Sequence, residues 1–113
     1  MELGQFSVSL AVKDIAKSKA FYETMGFEAL EGCGSIKDKW LILKNNTTVI
    51  GLFQDMFENN ILTFNPDNAR AIEAHLKTNN VNIDTPTSGD SGPAHFILKD
   101  PDGNVIMFDQ HNP

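Results

Sequence analysis

Few side chains in this sequence can do chemistry, and their spacing limits what that chemistry is. There are three histidines and one cysteine. His75 falls on a helical stretch beside an apolar stripe, where a solvated ring is expected. His95 falls on a strand and can face a cleft, and His111 sits in the C-terminal tail. No His-x-His pair and no carboxylate at a partner spacing accompanies them, so the sequence offers no metal-ligand cluster by spacing alone. Cys33 stands between Gly32 and Gly34 with no adjacent base to activate its thiol. Ser7 and Ser9 could act as nucleophiles only if His95 reached them across a sheet. Gly89-Asp90-Ser91-Gly92 lacks the lysine and following helix of a phosphate-binding loop. It reads as a mobile loop able to cover a cleft mouth. Asp109 could bind a cationic group at a rim, or stand as a solvated carboxylate at a strand end.

The whole chain bounds the possibilities further. Its 113 residues suit a single domain, 1–113, and can bury a core without disulfide staples. A net charge of -6 and a pI near 4.8, with nine scattered Lys and Arg, argue against nucleic acid and against anionic membrane surfaces. One cysteine excludes an internal disulfide and suits a reducing cytoplasm. The N-terminus lacks the basic and apolar stretches of a secretory signal, and no apolar run is long enough for a bilayer. A cytoplasmic location is the expectation.

The elements that must position these residues follow from periodicity. Phe6, Val8, Leu10 and Val12 alternate with Ser7, Ser9, Ala11 and Lys13, the period of a strand. Asp14 then offers a helix cap, and the helix is expected over 14–26, with Phe21 and Tyr22 serving the core and Gly26 ending it. Residues 27–31 form a short strand, Gly32-Cys33-Gly34 breaks it, and residues 39–44 and 47–54 form strands around an Asn45-Asn46 turn. The order then repeats: a strand at 61–65, a helix opened by Pro66 and capped by Asp67, a short strand at 81–84, a loop over 85–93, and strands at 94–99 and 104–110. The last two are joined by the tight turn Asp100-Pro101-Asp102-Gly103. Asp14 and Asp67 lie 53 positions apart, and the other elements recur at nearly that offset. The expected fold is α+β. Two βαβββ modules, 1–56 and 57–113, form a curved mixed sheet around a cleft.

At this point the residues resemble a known family. Val12-Lys13-Asp14-Ile15, then Ser18, Phe21-Tyr22 and Met25-Gly26-Phe27, is similar to the first strand–helix unit of the vicinal oxygen chelate superfamily. Gly92-Pro93-Ala94, Phe96-Ile97-Leu98 and Asp100-Pro101-Asp102-Gly103-Asn104 resemble its closing hairpin. That superfamily includes glyoxalase I, extradiol dioxygenases, fosfomycin-resistance thiol transferases and bleomycin-resistance proteins, so the resemblance implies the fold and leaves the chemistry open. It also implies four metal-ligand positions, usually His, Glu or Gln. Counted along the motifs, they fall on Ser7, Gly51, Ile61 and Met107, none of which suits a hard or borderline metal.

Strand alternation assigns the cleft wall. Ser7 and Ser9 face it from the first strand, Val49, Gly51 and Phe53 from the fourth, Ile61 and Thr63 from the fifth, and Met107 and Asp109 from the last. His95 can join them. Trp40 supplies a flat stacking surface there, or else packs in the core or at a dimer interface. The wall is mostly small or apolar, the chemistry of a binding pocket. The expected function is that of a metal-free protein binding a small-molecule ligand, with no cofactor, close to the bleomycin-resistance branch. Two alternatives remain: a glyoxalase- or dioxygenase-type enzyme whose displaced ligands include His95 with Glu58 or Asp109, and a non-catalytic domain with a vestigial cleft. Family members of this length commonly pair, so the resemblance implies a homodimer.

Overall fold

Each of the two helices packs on its own cluster of buried apolar strand residues. The computed structural model describes residues 1–112. They form seven strands and two helices, in the order β1 Gln5–Val12, α1 Ile15–Glu23, β2 Glu28–Ser35, β3 Trp40–Asn45, β4 Thr48–Gln54, β5 Ile61–Asn65, α2 Ala69–Thr78, β6 Ala94–Lys99 and β7 Val105–Gln110. The architecture is the expected α+β mixture. The chain divides into two compact units: Ser7–Asn60, and a second that begins at Ile61 and takes in Met1–Phe6. No helix of the described residues is long and apolar enough to cross a membrane.

In the Ser7–Asn60 unit, β2, β3 and β4 are antiparallel neighbours, and β1 runs parallel to β4 with Ser9 opposite Gly51 and Ala11 opposite Phe53. Ile15 of α1 packs on Leu41, Leu43, Ile50 and Leu52, with Leu10, Val12, Tyr22 and Phe27 at the margin. Leu43 and Leu52 are fully buried. Burial of this order contributes about 2 kcal/mol per large aliphatic side chain. In the second unit, β5 and β7 are parallel and β6 is antiparallel to β7. Ala69 and Ile72 of α2 pack on Ala94, Phe96, Leu98 and Phe108. The Phe96 and Phe108 rings stack at 4.8 Å, and Phe64 stacks on Phe108 at 5.3 Å.

The helices begin and end by the same devices. The Asp14 carboxylate accepts from the Lys17 N–H, and Asn68 Oδ1 accepts from the Ala71 N–H. The cap of α2 is therefore Asn68 and not Asp67, and the true offset is 54 positions. Asp67 sits one residue too early, and its side chain is exposed. At the far ends, Gly26 and Asn80, again 54 apart, take positive φ. Phe27 N–H then donates back to Tyr22 O, and Val81 N–H to Leu76 O, the bonds that close a left-handed helix terminus. Helix α1 thus stops at Glu23 rather than reaching Gly26. Only half of the expected aromatic pair is core: Tyr22 packs inward, whereas Phe21 is 57% exposed, because residues one apart on a helix point in different directions.

Gly32-Cys33-Gly34 does not interrupt the strand. It lies inside β2, where the register against β3 slips between Ala29 and Gly34, and glycines at φ of 77° and 88° absorb the irregularity. Residues 81–84 form no strand. Val81 and Ile83 pack as a loop against the second core, and a lone antiparallel bridge joins Thr85 to Ile97.

Candidate functional site

Because α1 covers one face of its sheet, the opposite face is set by alternation. Leu41 and Leu43 point to the helix, so Trp40 and Ile42 point away. Ile50 and Leu52 do likewise, so Val49, Gly51 and Phe53 point away, with Ser7, Ser9 and Ala11 beside them from β1. All six residues expected from this half, Ser7, Ser9, Trp40, Val49, Gly51 and Phe53, therefore share one face. Ser7, Ser9 and Gly51 are buried, and Trp40, Val49 and Phe53 are half-buried. Trp40 lies outside the helix-side core. Its ring runs parallel to that of Phe53, 9° apart with centroids 6.4 Å apart, and Phe57 meets Phe53 at 5.4 Å.

The second unit repeats the logic. Phe96, Ala94, Leu98, Phe108 and Ile106 serve the core around α2, so His95, Ile97, Met107 and Asp109 turn to the other face with Ile61 and Thr63. Ile61 and Thr63 are buried, Met107 and Asp109 half-buried, and His95 exposed. Thr63 pairs with Met107, and His95 stands directly opposite Asp109. The Asp109 carboxylate also lies 3.5 Å from His111 Nε2, which contacts Asn65 Oδ1 at 3.0 Å. Asn65 Nδ2 in turn donates to Gln5 O, which leaves its Oδ1 to accept from the imidazole. His75 is exposed on α2, next to Asn79.

The metal-ligand positions implied by the resemblance do not fit a metal here. Ile61 and Gly51 carry no donor atom, Ser7 offers a buried hydroxyl, and Met107 offers a thioether that suits soft ions only. A Cβ placed on Gly51 would come within 2.5 Å of Phe53 Cε2, so a larger side chain there would require the ring to move. Among the described residues, no group of three or more His, Cys, Asp or Glu side chains stands ready to hold a metal ion.

Several residues that shape these faces escape sequence reasoning. Ile42 was available from the alternation within Lys39–Lys44, but Phe57 follows the end of β4 and carries no periodic signal. Arg70 has the largest hidden role. Its guanidinium donates to the carbonyls of Ser88, Gly89, Ser91 and Gly92, at 2.9 to 3.2 Å. The buried Glu73 carboxylate accepts from the Thr87 N–H at 2.9 Å. The segment read as a mobile cover is thus strapped to α2, on the side of its sheet away from His95 and Met107. Gln54 and Gln110, the last residues of β4 and β7, accept from the first helical N–H groups, those of Ile15 and Ala69.

A family model described as the Glyoxalase/Bleomycin resistance protein/Dioxygenase superfamily matches residues 4–108. No curated protein sequence matches the chain significantly. Among solved structures, a protein of Legionella pneumophila described as an NAD-dependent benzaldehyde dehydrogenase superposes with a TM-score of 0.76 at 20% identity, covering 95% of this chain and 99% of that one. A superfamily member from Vibrio splendidus 12B01 gives 0.72 at 16% identity, with 93% and 97% covered. The methylmalonyl-CoA epimerase of Mycobacterium tuberculosis gives 0.70 at 13% identity, with 100% and 93% covered. At such low identities the superpositions establish a shared fold alone, and the differing descriptions illustrate how many functions that fold carries.

Proposed function

The chain belongs to the glyoxalase/bleomycin resistance protein/dioxygenase superfamily, and on that premise we propose that it binds a small, mostly apolar molecule without a metal ion and without catalysing a reaction. One observation carries the reading: the four positions where the resemblance implies metal donors hold Ser7, Gly51, Ile61 and Met107, with the Phe53 ring lying against Gly51. The open strand faces support it further. They present Trp40, Ile42, Val49 and Phe53 in one unit and Ile61, Ile97 and Met107 in the other, with the hydroxyls of Ser7, Ser9 and Thr63, the His95 imidazole, the Asp109 carboxylate and, beside Val49, the charged Lys44 and Glu28 as the polar points. Apolar walls with a few placed polar groups hold ligands by shape and desolvation. Met107 adds a side chain that adapts to irregular partners.

The test is a thermal-shift screen of the purified protein against small apolar compounds and against Zn, Ni, Mn and Fe. A binder present at about a hundred times its Kd adds about 2.7 kcal/mol to the stability of the folded form. For a domain of this size that raises Tm by about 10 °C or more. The expected outcome is a shift with apolar compounds and none with the metals. A comparable rise with one divalent metal, abolished by His95→Ala, would overturn the proposal, as would glyoxalase turnover above background.

A further inference from the structure

Seven of the eight glycines take positive φ, where a side chain is strained, and Gly51 is the exception. Its glycine is therefore not required by its backbone. Glycine in the middle of a strand weakens that strand, and its presence points to something that needs the space. Here the occupant is visible. A Cβ on Gly51 would meet Phe53 Cε2 at 2.5 Å, Phe53 Cζ at 3.2 Å and Ile42 Cδ1 at 3.3 Å. The missing side chain lets the Phe53 ring lie down over β4. In that position the ring is parallel to Trp40, its directly opposite neighbour on β3.

We propose that Gly51 and Phe53 act as one specificity device, a ring seated over a bare backbone, which makes the open face of the Ser7–Asn60 unit selective for a flat, uncharged aromatic ligand. The inference rests on the small-molecule reading above and names its ligand class. Aromatic faces attract other aromatic rings through offset stacking and edge contacts, beyond simple area burial. Parallel Trp40 and Phe53 rings offer two such faces in one orientation, and Phe57, tilted by 45°, offers a third surface at an angle. Ser9 and Ala11, opposite Gly51 and Phe53 on β1, are small side chains beside the rings. A puckered ligand of the same volume would lose the stacking. An ionic one would lose hydration against the three rings, which carry no compensating charge.

Trp40 is the only tryptophan, so its indole N–H gives a single, site-specific NMR signal. The probes are 2-naphthol and its saturated, puckered counterpart decahydro-2-naphthol. The expected result is a saturable ring-current shift of the indole signal with 2-naphthol, and binding about tenfold weaker for the saturated compound. Phe53→Leu, which keeps an apolar side chain but removes the flat ring, should abolish that preference while leaving the fold intact. Gly51→Ala should weaken 2-naphthol binding, and its loss of stability should largely disappear in the Phe53→Leu background, because the clash is with the ring. Several results would overturn the device alone, provided that a thermal shift still reports binding: an unmoved indole signal, equal affinity for both probes, or an unchanged preference in Phe53→Leu. An indole signal that moves with protein concentration and resists 2-naphthol would assign the face to a second copy of the chain and overturn it too. If neither probe nor any other apolar compound produces a thermal shift, the binding function itself fails.

Discussion

The two units solve the same folding problem with the same parts and then present different surfaces. Each opens its helix with a short polar cap, Asp14 or Asn68. Each satisfies the first helical N–H with a glutamine from its last strand, Gln54 or Gln110. Each ends its helix with a positive-φ residue at the same offset, glycine in one case and asparagine in the other. The differences lie beyond the frame. The first unit continues into a full-length bulged strand, β2, and its open face carries the Trp40–Phe53–Phe57 row. The second replaces that strand with a loop tied down by Arg70 and Glu73, and its open face ends in His95 and Asp109. The backbone's hydrogen-bonding requirements are common to both halves and constrain the helix ends, whereas an open strand face is constrained only by what touches it.

The largest effect expected from testing this comparison is in the cores. Phe96 is fully buried and belongs to a stack of three rings, so Phe96→Ala should lower stability by about 4 kcal/mol in urea denaturation. Leu52, equally buried in the first unit but within an aliphatic cluster that has rings only at its margin, should lose about 3 kcal/mol as Leu52→Ala. A larger loss at Leu52 would break the ordering.

Next comes the strap. Arg70→Ala removes four donated hydrogen bonds, and about 2 kcal/mol is expected from losing charged donors to carbonyls. Hydrogen exchange should speed up at the amides of 87–92 while the Asn45–Asn46 hairpin stays protected. Equal acceleration in both places would show that the loop is not held by this residue.

The caps should respond alike. Asp14→Ala and Asn68→Ala are each expected to cost about 1 kcal/mol. Among the glutamines, Gln110→Ala should cost more than Gln54→Ala, because Gln110 is buried and its Nε2 also donates to Gly92 O and Asn112 O. A marked inequality between the two caps would deny their equivalence.

The smallest effect is at acid pH. In the first unit, the hydrogen bond and charge of Lys39, 3.0 Å away, hold the Asp55 carboxyl below its ordinary value. In the second, Asp100 is lowered by the side chain and backbone of Asn104, with help from the Asp102 and Gly103 amides. Both carboxylates are depressed in the folded state, so each contributes stability that is present above the usual carboxylate pKa of 3.8 and lost as pH falls through the lower folded value. Salt separates them: the Asp55 contribution rests partly on an exposed ion pair and should shrink at high ionic strength, whereas that of Asp100 rests on neutral donors and should persist. Comparing Asp55→Asn and Asp100→Asn in acid titrations of stability, at low and high salt, checks this. An Asp100 effect that vanished with salt would overturn the assignment.

Much of this was legible in the residues alone. The alternation of Phe6 to Val12, the strand at Ile61–Asn65 and the turn at Asp100–Gly103 depend on contacts between near neighbours in sequence, which periodicity and turn chemistry record directly. The assignment of each candidate residue to one strand face followed from the same alternation. The exceptions are instructive. A cap one residue from its expected place, a strand running through Gly-Cys-Gly, and a strand missing at 81–84 all turn on which hydrogen-bond partners the rest of the fold makes available.

By itself, then, the sequence determined the kind of elements, the order in which they repeat and the absence of imidazole and carboxylate groups at Ser7, Gly51, Ile61 and Met107, because these are properties of residue types and short spacings. Only the tertiary structure decided that Arg70 holds the 88–92 carbonyls, that Gln54 and Gln110 close the helix starts, and that the bare backbone of Gly51 lies under the ring of Phe53. Most of these join residues 18 to 41 positions apart, a separation at which no local pattern survives. The Gly51–Phe53 contact spans only two positions, yet it depends on a ring orientation shared with Trp40 across the strands. Space around a side chain is a property of the packed fold and is not written in the chain.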